Sequence, residues 1–372
     1  MGQLRAFTVT LPVNSVHTVF PAQVADVTAP SGGNVYDRRV SSGLSSLGWN
    51  VDEILVGGDW PRPDAAARAE LRTALDNLDS GEVVLVDGLV ACGVPEIVVP
   101  AARRLRVAVL VHLRLAAETG LSDEVREDLD RREREVLHAA HAVVATSSWA
   151  ARELAQHHKL PVNRVHSVDP GVDRAPLARG TDGASRLLCV ASVTPRKGHD
   201  LLLDALLTID DLDWHLVCVG ALHHAPDHVT QLRSRVKSSN ACEKVEFVGP
   251  RHGDELEQSY DAADLFVLAS RAETYGMVVT EALARGIPVL ATNVDPLPST
   301  VGLAPDGSVP GLLVPPAELA TALRSWLTES GLRRRLRAAA RDRRGMLTGW
   351  AETSNSLARV LTQVTRSSLP SG

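Results

Sequence analysis

The sequence predicts an α/β protein of two domains, each a parallel sheet wrapped by helices. Three observations lead there. At 372 residues the chain is too long for one compact core and suits two. Short, β-branched apolar runs alternate with longer helix-like segments, the pattern of parallel strands buried on both faces. The alternation breaks once, at residues 173–185 (DRAPLARGTDGAS), where Pro, Gly and polar residues carry no apolar period.

The strands are expected at 5–11, 50–56, 82–86, 107–111 and 142–145 in the first half. In the second they are expected at 186–191, 214–219, 245–248, 265–268 and 288–291. A helix over 35–47 is closed by Gly48. The segment 122–141 is charged and amphipathic, with Leu129, Val136 and Leu137 on one face, and 254–263 opens with an acidic turn suited to a helix N-terminus. Further helices fall at 319–328, 332–344 and 350–365, the last with Leu357, Val360, Leu361 and Val364 at helical spacing. The expected division is 1–174, 175–348 and a terminal segment 349–372. The arginine run RRRLRAAARDRR reads as a solvated helix face, with contact to an anionic membrane surface as the alternative.

Composition excludes several classes. Hydrophobic residues make up 44% and charged residues 23%, as in an ordinary globular protein. A net charge of −6 argues against a dedicated nucleic-acid binder. Cys92, Cys189, Cys218 and Cys242 form no C-x-x-C pair and read as buried free thiols of a reducing compartment. With no signal-peptide pattern and no apolar run near the roughly 20 residues of a membrane span, a cytoplasmic location is expected. The two D-x-D triplets, Asp128-Leu129-Asp130 and Asp211-Leu212-Asp213, lie in a charged helix and a polar turn and read as solvated.

The densest chemistry lies in DLFVLASRAETYGMVVTEALARGIPVLA, residues 264–291. A buried strand ends in a loop carrying Ser270, Glu273, Thr274, Tyr275 and Gly276, and a helix opens near Met277. Ligands of open parallel sheets bind beyond the carboxyl ends of the strands, where a helix N-terminus offers unpaired N–H groups to a phosphate. Gly276 lets backbone approach closely. Glu273 and Glu281, eight positions apart, are acceptors suited to pairs of sugar hydroxyls. In LLCVASVTPRKGHDLLL (187–203), Arg196 and Lys197 beside Gly198 place two cations at a strand–helix junction, which suits a diphosphate. In the first half, Gly32 and Gly33 read as a tight turn before a helix, presenting backbone N–H groups to an anion. It is not G-x-G-x-x-G, so no nicotinamide fingerprint is present.

The E-x7-E segment around Tyr275-Gly276-Met277 resembles the signature of retaining glycosyltransferase family 4. The resemblance extends over nearly the whole chain and is densest over 187–314. It implies a GT-B fold: two Rossmann-like domains facing a central cleft, with the C-terminal helix crossing back to the N-terminal domain. By that resemblance Glu273 contacts the transferred sugar, Glu281 holds the ribose, and Tyr275, Gly276, Met277 and Val278 meet the diphosphate with Lys197. Pro250 or Arg251 lines the nucleobase. His112, at the end of a strand, lies beside the transferred sugar, Gly33 has a backbone role at the donor, and Gly32, Asn34, Tyr36, Asp37, Asp87 and Thr146 fall on the acceptor side. The family usually places an Arg where this chain has Ser192, and a Gly-rich turn where it has Asp295-Pro296-Leu297-Pro298.

The implied reaction moves a hexose or N-acetylhexosamine from a UDP- or GDP-type sugar to a hydroxyl of a small-molecule, saccharide or lipid acceptor, with retention and without metal or other cofactor. The partners implied are the donor and the acceptor, with no nucleic acid, and a soluble acceptor is favoured over peripheral membrane contact, for a monomer or a homodimer. A sugar phosphorylase or epimerase, or a non-catalytic sugar-nucleotide-binding subunit, shares the architecture. Intact Glu273, Lys197 and Glu281 favour transfer.

Overall fold

The computed structural model describes residues 14–26 and 31–367. The first sheet contains β1 (Ser15–Pro21), β2 (Asn50–Val56), β3 (Val83–Asp87), β4 (Arg106–Val111), β5 (Ala142–Ala145) and β6 (Val165–Ser167), in the order β2-β1-β3-β4-β5-β6. The second contains β7 (Arg186–Val190), β8 (His215–Val219), β9 (Val245–Gly249), β10 (Leu265–Leu268), β11 (Val289–Thr292) and β12 (Gly311–Val314), in the order β12-β11-β10-β7-β8-β9. Every pairing is parallel. The second order is the dinucleotide-fold arrangement, with its reversal between β7 and β10. Residues on β3, β5, β10 and β11, and on β4 from Val107 onward, are buried without interruption, which is why these strands read as continuous apolar runs.

Three expectations shift, and a fourth cannot be compared. The strand expected at 5–11 lies outside the described residues. β1 was not expected, because His17 and Thr18 interrupt its apolar run; His17 faces Asp52 on β2 and Glu82 just before β3. The Gly32-Gly33 pair is not a turn: the helix Gly32–Ser46 already begins there, with the Ser31 side chain accepting from the Asn34 N–H as its N-cap. The arginine run is only partly solvated. Arg333, Arg343 and Arg344 donate to carbonyls of neighbouring elements, and Arg337 pairs with buried Asp264.

Between β6 and β7 no regular element forms, yet the segment is anchored. Asp264 accepts from the backbone of Thr181, Gly183 and Arg186. The last helix, Trp350–Arg366, returns to the first sheet. There Leu357, Val360, Leu361 and Val364 share a core with Phe20, Tyr36, Val40 and Leu44. Gly43 permits this contact, since a Cβ there would lie 1.9 Å from Ser354 Oγ. Cys92, Cys189 and Cys218 are buried free thiols, while Cys242, expected buried, is exposed. No helix among the described residues is long and apolar enough to cross a membrane.

Candidate active site

The reversal between β7 and β10 places two exit loops side by side. Gly198 makes their approach feasible: it sits at φ +66°, and a Cβ would fall 1.9 Å from the Ala269 carbonyl oxygen. The Arg271 N–H donates to the Arg196 carbonyl at 2.8 Å, stapling one loop to the other. Arg271 also grips Asp200 with its two terminal guanidinium nitrogens. This scaffold brings Lys197 Nζ to 2.5 Å from Glu273 Oε1, and Ser270 Oγ donates to the same oxygen at 2.7 Å.

Glu273 is 5% exposed. Burial alone would raise its pKa, but Lys197, Arg196 and Ser270 outweigh it and hold the carboxyl below its ordinary value. The Arg196 Nη1 donates to the Ala272 carbonyl at 3.3 Å, and its Nε lies 3.7 Å from Glu118 across the cleft. A second cation therefore stands close to Glu273, although the position usually occupied by an Arg is the partly buried Ser192.

Gly276, at φ +89°, leads the helix Met277–Ala284; a Cβ there would meet Leu297 Cδ2 at 2.7 Å. The N–H groups of Met277 and Val278, its first two residues, have no partners within the helix. Tyr275 and Val278 flank this turn, both partly buried. Inside the helix, Glu281 Oε2 accepts from the Tyr260 hydroxyl at 2.7 Å. Burial raises the Glu281 pKa, opposed in part by Tyr260 and Arg285. At the exit of β9, Pro250 is exposed and Arg251 donates to Ser259 Oγ at 2.9 Å.

The first domain contributes a charged cluster. His112, leaving β4, has Nε2 at 2.8 Å from Asp37 Oδ1 and 3.6 Å from Asp87 Oδ2. Burial would lower the imidazole pKa, but the two carboxylates, Asp37 foremost, push it up to about 9. Burial and Asp37 raise Asp87 to about 7. These three residues bring ligand atoms within 4.8 Å of one another, close enough for a metal ion; a protonated His112 already supplies positive charge between the carboxylates. Gly33 lets the helix start lie over the ring, since a Cβ would stand 3.2 Å from His112 Cδ2.

Two acceptor-side expectations change. Tyr36 is fully buried and donates its hydroxyl to the Val168 carbonyl at 2.9 Å, so it supports His112 edge-on instead of meeting a ligand. Asp37 is likewise enclosed, and its partner is His112. Asn34 turns its amide to the Gln23 carbonyl. Thr146 Oγ1 is buried with no hydrogen-bond partner at the end of β5. Ser147 caps the next helix and donates to the Thr274 carbonyl at 2.7 Å, joining the domains. On the opposite lip Gly32 faces Met277, with a would-be Cβ 3.7 Å from Met277 Sδ. The cleft thus gathers His112 and Gly33 from one sheet, and Lys197, Glu273 and Gly276 from the other. The Asp37 partnership with His112 was missed because the sequence separation of 75 residues leaves no local signal.

Residues 179–343 match the family described as Glycosyl transferases group 1. The match falls within the second domain. It holds Lys197, Glu273 and Glu281. Over 251 residues the chain is 31% identical to a D-inositol 3-phosphate glycosyltransferase of Jonesia denitrificans, a match spanning 61% of this chain and 58% of that protein. The Geodermatophilus obscurus protein of the same name is 32% identical over 254 residues, 62% and 54% of the two chains. The chain therefore spans little more than half of these relatives. In fold, the two domains together resemble sucrose-phosphate synthase from Thermosynechococcus elongatus. The TM-score is 0.77 at 20% identity, covering 95% of this chain and 100% of the other. They also resemble Anabaena HepE, solved in complex with UDP and glucose, with a TM-score of 0.72, 16% identity and coverage of 93% and 99%. The architecture is the GT-B fold.

Proposed function

We propose that the protein is a retaining hexosyltransferase that moves a hexose or N-acetylhexosamine from a nucleotide-diphosphate sugar to an acceptor hydroxyl, without a metal. The observation that carries this reading is the Lys197–Glu273 pair at 2.5 Å, set at the β7/β10 switch point beside the helix led by Gly276. A cation, a carboxylate and a helix N-terminus at that place provide a seat for an anionic leaving group and an acceptor for sugar hydroxyls.

In this mechanism Lys197, Arg196 and the amides at Met277 and Val278 take up the charge that develops on the departing diphosphate. Glu273, kept ionised, accepts from hydroxyls of the transferred sugar. Glu281, oriented by Tyr260, accepts from the ribose, and Pro250 and Arg251 border the base. The His112 imidazolium donates to a sugar hydroxyl, aimed by Asp37. The acceptor hydroxyl enters on the face from which the diphosphate leaves, and a diphosphate oxygen takes its proton, so no separate base is required. Asp87 and Thr146 stand on the acceptor side. Free buried cysteines fit a cytoplasmic setting.

The test is a thermal-shift panel of UDP- and GDP-sugars, followed by assay of nucleoside-diphosphate release. The expected result is stabilisation by one donor, lost in Glu281→Ala, with diphosphate release that depends on acceptor. Stabilisation by none of the donors would remove the basis of the proposal.

A further inference from the structure

A cavity of about 620 Å³ opens on the first domain at the N-terminal ends of β4, β5 and β6. Because the strands are parallel, this is the edge of the sheet opposite His112 and Thr146, so the cavity is no part of the cleft. Among the described residues its lining includes Arg103, His138, His141, Arg164 and His166, and no carboxylate. In a chain with 45 acidic and 39 Lys or Arg residues, that one-sided set is distinctive.

Arg164 and His141 are held by local hydrogen bonds. Arg164 donates to the His138 and Ala140 carbonyls at 3.1 Å each, cancelling the negative end of the helix Asp123–Ala139. His141 Nδ1 accepts from the Val107 N–H at 3.2 Å, which leaves its Nε2 as a donor. Burial first, then Arg106 and Arg164, lower the His141 pKa, and burial lowers His166 as well. The remaining wall is apolar, formed by Val99, Ala102 and Val364 among others. The volume falls in the range of small-molecule sites, of order 300–1,000 Å³, and far exceeds a bare anion.

We propose that this cavity binds a phosphomonoester whose ring-sized body rests on the apolar wall, while Arg103, Arg164 and the His141 N–H hold the phosphate. An anion held near Arg103, Arg106 and Arg164 favours the charged forms of His141 and His166. The last turn of the helix Trp350–Arg366 also lines the cavity through Gln363 and Val364, so an occupant contacts the same helix whose first residue, Trp350, packs on Tyr36 beside His112.

The experiment is a histidine-ring NMR titration of the full chain with AMP, glucose 6-phosphate and inorganic phosphate; His112 reports separately on the cleft. The expected result is a saturable shift of His141 and His166 with half-saturation below about 1 mM for AMP or glucose 6-phosphate. The two arms distinguish a nucleoside from a sugar body. Inorganic phosphate should be at least about tenfold weaker, and Arg103→Glu, on an exposed side chain, should weaken binding by a similar factor. His166→Ala provides a second variant should Arg103→Glu fail to fold. No shift at about 10 mM, equal response to inorganic phosphate, or undiminished binding by the folded variant would overturn the proposal. None of these outcomes depends on transferase activity.

Discussion

Asp37→Asn keeps the shape of the side chain beside His112 and removes its charge. In the wild type the imidazole pKa stands at about 9 against an ordinary 6.5. That gap corresponds to about 3 kcal/mol in favour of the imidazolium, a ceiling for the variant because Asp87 supplies part of it. With a folded-state value above the ordinary one, the stabilisation is complete below pH 6.5 and is lost as pH rises through about 9. The variant should therefore lose more thermal stability at pH 6 than at pH 9.5. At pH 7.5 nearly all His112 is protonated in the wild type, against about one tenth if the value returns to 6.5. If the imidazolium donates to the sugar, kcat/KM at pH 7.5 should fall about tenfold and recover towards pH 6. Ring NMR titration gives the midpoint directly. A midpoint within about half a pH unit of the wild type would refute the electrostatic account, whatever the rates.

Lys197→Ala should reduce nucleoside-diphosphate release by about 10²–10³ and lower the melting temperature, since it strands the buried Glu273 carboxylate; unchanged turnover in that assay would remove Lys197 from the mechanism. Gly276→Ala, strained at φ +89° and set against Leu297, should cost about 1–3 kcal/mol in denaturant unfolding together with donor affinity. Glu281→Gln should remove the acid limb of donor binding: the raised wild-type pKa makes affinity fall as pH drops through a value above 4.5, and the amide cannot titrate. A persistent acid limb in calorimetry would place the titrating group elsewhere.

The second domain was the more legible half because its strands β7, β8, β10 and β11 are nearly unbroken apolar runs, and because the loops that carry chemistry follow them directly. β12 escaped notice: four residues long, it starts at Gly311, whose lack of a Cβ lets it pass the Val289 carbonyl. β6, three residues with a central histidine, carries equally little pattern. At the site, Lys197 and Glu273 were readable from loop position, but their 2.5 Å contact depends on strand order, which no local motif encodes. Tyr36 was misread for a related reason. A tyrosine after a Gly-Gly pair suggests a ligand contact, and only the return of the last helix shows it enclosed between His112 and Trp350.

The return of that helix also bears on synthesis at the ribosome. Phe20, Tyr36, Val40 and Leu44 are among the first core residues to emerge, yet the Leu357, Val360 and Leu361 that cover them are translated more than 300 positions later. The leading half of the polypeptide therefore waits, with an uncovered apolar face, until its trailing helix leaves the exit tunnel. Nascent chains halted before Trp350 should be the ones that chaperones hold longest.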